Sequence, residues 1–292
     1  MSKETNTYTP AQRQIIDAVQ VNIPYTMLVE EEWLDLYLSQ GFNPEIGIDA
    51  NALDRFSPAE FAEMASCFHD QGRTITLHGP FLDLSPGSPD RLIRETTRRR
   101  YEQLLSAVSV FSPKTVVCHA GYDESRYDFC KEAWLESAVE TFTWLGGAMQ
   151  AKNTRLMLEN VYEYTPEMLV RLFSHLDAAH TGCCLDPGHL TAFGNGRLDE
   201  WLDALGSRIG QFHLHDNSGT YDTHLGMGKG IIDFKRIFAF MGKTPNPLVV
   251  TLEPHTRQDF MISLSYLERH QFSSFCAGKG NPAGGPANRT RA

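Results

Sequence analysis

The sequence predicts an α/β protein folded as a single (β/α)8 barrel, and three observations lead to that class. Eight short β-prone runs alternate with longer segments of helical period, no interior linker interrupts them, and nearly every run ends on an imidazole or a carboxylate. At 292 residues and 41% hydrophobic content, the chain can bury the core of one barrel. A doubly wound open sheet shares the alternation but gives no reason for polar residues to recur at strand ends.

Taken in order, strands are predicted over 18–23 (AVQVNI) and 45–49 (EIGID). SPAEFAEMASCFHD then reads as a helix, with Ser57 as N-cap and Pro58 as its first residue. Strand three, 74–78 (TITLH), ends on His78, and strand four, 115–119 (TVVCH), on His119. Strand five, 155–160 (RLMLEN), carries Glu159. TPEMLVRLFSHL repeats the helix device, with Thr165 as cap, Pro166 in the first turn and Glu167 near the positive end of the dipole. Strand six, 182–186 (GCCLD), ends on Asp186, with His189 just beyond; strand seven, 209–216 (IGQFHLHD), carries His213 and His215; strand eight, 248–253 (LVVTLE), ends on Glu253. The chain therefore divides into an N-terminal tail (1–14), a barrel (15–272) and a Gly/Pro/Ala-rich, disordered C-terminal tail (273–292).

Composition narrows the partners. A formal net charge of −10, with RRRY at 98–101 the one basic cluster, disfavours long nucleic acid. The six cysteines contain no CxxC pair and follow no apolar leader, so free thiols in a cytoplasmic protein are expected. No apolar run is long enough to span a membrane. Association into homo-oligomers is left open.

In a barrel, the C-terminal strand ends share one mouth. Several carboxylates and imidazoles there repel or desolvate one another unless a cation or a hydrogen-bond network holds them, and mixed His/Asp/Glu donors suit zinc, manganese, iron or cobalt. Alternation turns Cys118 away from the axis, and Cys183 and Cys184 read as core. His213 and His215, two apart, face the same side. In FHLHDNSGTYDTHLGMGKGIIDF (212–234), Asp222 and His224 sit one residue apart in a loop free to curl over the mouth, and the glycines of GMGKG permit either a tight turn or a phosphate cradle assisted by Lys229. Arg91 and Arg94 are candidate phosphate clamps.

LHGPF, VVCHAGY, LENV, CLDPGHL, HLHDNSGTYDTHLGMGKGIIDF and TLEPH, in this order on successive strands, resemble the xylose isomerase-like TIM barrel superfamily, which holds the sugar phosphate isomerases/epimerases and endonuclease IV. The resemblance covers about residues 15–270. As in the epimerases, it implies one divalent ion (Zn2+ or Mn2+) on Glu159, Asp186, His213 and Glu253, with the two glutamates exchanging protons beside a metal-polarised carbonyl. As in endonuclease IV, it implies three zincs: His78, His119 and Glu159 on one; Glu159, Asp186, His213 and Glu253 on a second; His189, Asp222 and His224 on a third. One to three ions per chain are thus expected. His215 stands where the endonuclease has asparagine, which leaves open which imidazole ligates. The basic and aromatic insertions that penetrate DNA are not identifiable. A metal-dependent isomerase or epimerase of a sugar or sugar phosphate is the preferred reading, with His215, Lys229 and Arg91 as substrate contacts. Its alternatives are a multinuclear phosphodiesterase acting on a small phosphoester and a metal- or sugar-binding barrel without turnover. Substrate choice rests with loops such as GPFLDLSPGSPDRLIRE and GYDESRYDFC.

Overall fold

Strand alternation splits the interior into two packed regions separated by the sheet. The computed structural model describes residues 8–245 and 247–272. Eight parallel strands, β1 (Gln20–Pro24), β2 (Asn43–Gly47), β3 (Thr76–His78), β4 (Thr115–His119), β5 (Arg155–Glu159), β6 (Thr181–Leu185), β7 (Ile209–Leu214) and β8 (Val249–Leu252), pair in chain order, and β8 closes on β1. On β4, Val116 and Cys118 face the helices and join the large outer core, whereas Val117 faces the axis and packs with Met157 and Cys184 as a small apolar plug.

Other inward positions are polar. Glu45 of β2 is fully buried, and its Oε2 accepts from Thr76 Oγ1 (2.8 Å), Gln211 Nε2 (2.6 Å) and Thr251 Oγ1 (2.9 Å). Thr115 Oγ1 donates to Gln211 Oε1 (2.7 Å), which carries the belt around to β4. Side chains from five strands thus bond one another.

All eight predicted strands form, most with slightly different ends. Ser57 caps the helix Pro58–His69 in a full capping box with Glu60. Two expectations are corrected. Residues 10–14, assigned to the N-terminal tail, belong to a helix, Pro10–Ala18, that Thr9 and Gln12 cap; Ile15 and Ile16 bury against the barrel, and Thr9 and Gln12 bond Glu268 of the final helix, Arg257–Arg269. Its apolar face is too short to show a period in the sequence. The helix after β5 starts at Glu167, and Pro166 (φ −72°, ψ −6°) occupies the cap position without a side-chain cap, so Thr165 does not serve. Residues 1–7 and the predicted C-terminal tail lie outside the described residues. Among the described residues no helix is long and apolar enough to cross a membrane.

The loops after β3 and β4 rest on one fully buried ring. Trp134 packs edge-on against Tyr122 (4.8 Å), and Ser85 Oγ bonds Tyr127 Oη (2.6 Å) beside it. Trp134→Ala should therefore cost about 3–5 kcal/mol of stability in denaturant unfolding. It should also raise hydrogen exchange in residues 79–90 and 120–130, and unchanged exchange there would show that these loops do not depend on Trp134.

Candidate metal centre

The ends of β3 to β8, with the residues just past them, build one buried cluster at the barrel mouth. Glu159, at the end of β5, receives His78 Nε2 (3.1 Å) and His119 Nε2 (3.4 Å) at Oε2 and His213 Nδ1 (2.8 Å) at Oε1. Glu253, just past β8, places Oε1 3.1 Å from the same His213 Nδ1. Asp186, just past β6, caps the helix Pro187–Ala192 by accepting from His189 N (3.0 Å) at Oδ1, and its Oδ2 lies 3.0 Å from His215 Nε2. The loop after β7 curls back over the mouth, so Asp222 Oδ2 sits 3.0 Å from His224 Nε2 and 3.3 Å from His189 Nε2. All nine predicted metal ligands and His215 are thereby brought together. His224 adopts φ +48°, a conformation costly for a residue with a Cβ and held here by its contacts.

The imidazoles are oriented from behind. His78 Nδ1–H donates to the Gly79 carbonyl (2.9 Å), His189 Nδ1–H to the Asn160 carbonyl (2.9 Å) and His224 Nδ1–H to the Glu253 carbonyl (3.0 Å). A carbonyl only accepts, so in each ring Nδ1 carries the proton that it donates and Nε2 is the nitrogen left to face a ligand, as in metal-binding histidines. The donor set, with its carboxylate oxygens and several Nε2 atoms converging within 4.8 Å in groups of three, fits a divalent transition ion.

The comparisons with known proteins agree with this architecture. The family model described as xylose isomerase-like TIM barrel matches residues 44–271. The chain belongs to that family. An uncharacterized protein of Methanocaldococcus jannaschii, MJ1311, is 26% identical over 203 residues, which cover 67% of this chain and 69% of the relative. Among solved structures, the TTHB071 protein of Thermus thermophilus, soaked with ZnCl2, is 24% identical with a TM-score of 0.72, covering 90% of this chain and 99% of its own. A D-tagatose 3-epimerase-like protein is 22% identical with a TM-score of 0.74, covering 89% and 99%.

Several members of this site were not singled out from the sequence. Glu45 reaches His213 Nε2 with Oε1 (2.9 Å) from beneath, so His213 has carboxylates at both ring nitrogens. Asn160 exchanges two hydrogen bonds with the Asp186 backbone (2.8 and 2.9 Å), which locks the ends of β5 and β6 together. His255 stacks on His224 (4.1 Å), and Phe81 on His119 (4.4 Å). The run of strand-end polar residues points to the mouth but not to these partners, whose contacts come from other strands and loops.

Burial alone would push the Glu159 carboxyl up, but His213, His78 and His119 hold it well below the usual carboxylate range. Glu253 goes the other way: burial raises it, and His213 and His224 only partly offset this. Burial pulls His119 down to about 3. It also opposes protonation of His224, yet Asp222 and Glu253 lift that ring to about 9.

Two expectations for phosphate are corrected. Arg91 is exposed and paired with Glu95 one turn along its own helix, and Arg94 donates to the Ser88 and Pro89 carbonyls. The GMGKG segment does form a cradle of amides, but Asp216 fills it: Gly228 N (2.9 Å) and Gly230 N (2.9 Å) donate to Oδ2, and Ile232 N (3.2 Å) to Oδ1. A carboxylate of the protein thus occupies the place an anion would take, and Lys229 is exposed at the rim of that turn.

Glu45→Gln keeps the shape of the belt while removing the charge behind His213, so Zn2+ affinity should fall about 10- to 100-fold in competition with a chromophoric chelator. Unchanged affinity would leave Glu45 as a structural residue only. In the metal-free protein, the His224 pairing stabilises the fold fully below its ordinary 6.5 and is lost as pH rises towards about 9. Urea midpoints should decline across that window, and His224→Asn should flatten the decline.

Proposed function

We propose that the chain is a divalent-metal-dependent isomerase or epimerase of a small sugar, acting at a carbon next to a carbonyl. The observation that carries this is the pair Glu159 and Glu253, which reach the same His213 Nδ1 from β5 and β8 at the mouth of the barrel, among nitrogen and oxygen donors suited to an ion. Glu159, Asp186, His213 and Glu253 would hold that ion. When bound, it polarises the carbonyl and hydroxyl oxygens of the substrate and so acidifies the carbon-bound proton between them. One glutamate removes that proton and the other returns one to the opposite face, which inverts the centre or, by shuttling between adjacent carbons, moves the carbonyl. Phe81, stacked on His119 and half exposed, offers an apolar face at the rim for the CH side of a sugar. The epimerase-like structural neighbour supports the reading. The engagement of Arg91 by Glu95 and of the GMGKG amides by Asp216 favours an unphosphorylated sugar over a sugar phosphate.

A second reading, hydrolysis of a small phosphoester at a multinuclear centre, draws on the convergence of His189, Asp222 and His224 beside the first cluster. The two are separated by incubating wild-type protein, loaded with Zn2+ or Mn2+, with ketoses, sugar phosphates and small phosphodiesters in D2O. Deuterium should enter a ketose at carbon, and Glu253→Gln should lower that exchange by about 10²- to 10⁴-fold while metal remains bound. Diester cleavage without carbon exchange would overturn the isomerase reading.

A further inference from the structure

His213 and His215 both point into the barrel, but they serve different neighbours. His213 sits deep, with Glu45 at Nε2 and the Oε1 atoms of Glu159 and Glu253 at Nδ1. His215 sits nearer the loops, and three carboxylates surround its Nε2: Asp186 Oδ2 at 3.0 Å, Asp222 Oδ1 at 3.6 Å and Glu253 Oε2 at 4.0 Å. Asp222 Oδ1 is buried and has no hydrogen-bond partner, although Oδ2 of the same group has two imidazoles beside it.

We propose that His215 is a metal ligand, and that it holds an ion of its own with Asp186, Asp222 and Glu253, separate from the ion at His213. Three carboxylates around one nitrogen repel one another unless a positive charge lies between them. One imidazole nitrogen and three carboxylate oxygens make a four-donor set that suits Zn2+ or Mn2+. Glu253, whose Oε1 lies on the His213 side and Oε2 on the His215 side, and Asp186 would then be shared by the two positions.

The backbone makes room for this ring. A Cβ on Gly188 would lie 2.1 Å from His215 Cε1 and 2.5 Å from Nε2, so only glycine lets the imidazole reach Asp186 across the first turn of the helix Pro187–Ala192. On its far side the ring stacks on His224 at 3.8 Å and 7°. Position and tilt are therefore set by the fold.

The test reads metal per chain and so is independent of the sugar chemistry proposed above. Wild-type protein, His215→Asn and Gly188→Ala are equilibrated with Zn2+, desalted and analysed by mass spectrometry of the metal, with circular dichroism to confirm folding. Gly188→Ala leaves every ligand in the chain and, within a helix, improves propensity, so it displaces the ring without removing a donor. Wild type should hold at least two ions, and each variant one fewer. Saturation of wild type at a single ion, unchanged content in both variants, or loss of all metal from either would overturn the proposal.

Discussion

Everything at the mouth of this barrel depends on one buried imidazole with a carboxylate at each nitrogen. His213 has no exposure, and Glu45 below and Glu159 and Glu253 above leave it no freedom to turn. Burying a carboxylate as deep as Glu45 is costly unless its oxygens are occupied, and this explains the belt of Thr76, Gln211 and Thr251 around it. The polar layer is in this sense the foundation of the site.

The barrel interior consequently changes character along its axis. The hydrogen-bonded belt, whose Thr115 precedes Val117 on β4 and whose Gln211 precedes His213 on β7, lies beneath the cluster of carboxylates and imidazoles, the small apolar group of Val117, Met157 and Cys184 fills the space beside it, and the loops lie above. The belt fixes the cluster above it through Glu45 and His213. The loops follow the same logic: Asp216 gathers the amides of the glycine-rich turn, and that turn returns the chain so that Asp222 and His224 meet His189. Side chains held by several neighbours at once are rigid, which is what preorganised ligands require.

Membership of the xylose isomerase-like family accounts for the scaffold and leaves the reaction to the site, because one scaffold of this kind hosts several chemistries. At the site of this chain, the imidazole at 215 is seated over Gly188, and Glu253 lies beside both histidines of β7 and its extension. Fold-level likeness does not predict either feature.

The sequence by itself determined the eight strands, their order and most of the residues facing the mouth, because a period of two along a strand and a helical period between strands are local properties. It also set His213 and His215 on one face. Only the tertiary structure decided what those residues touch. Glu45 opens its predicted strand and looks no different from any polar residue at a strand start; the register of β2 against β1 and β3 carries it under His213. Arg91 and the GMGKG turn had the right chemistry for phosphate, but Glu95 and Asp216 took their donors first. Whether a polar group binds a ligand or a neighbour depends on which partner arrives within about 3 Å, and closure of the barrel, which brings β2 and β7 to face one interior, is not encoded in any short stretch of the chain.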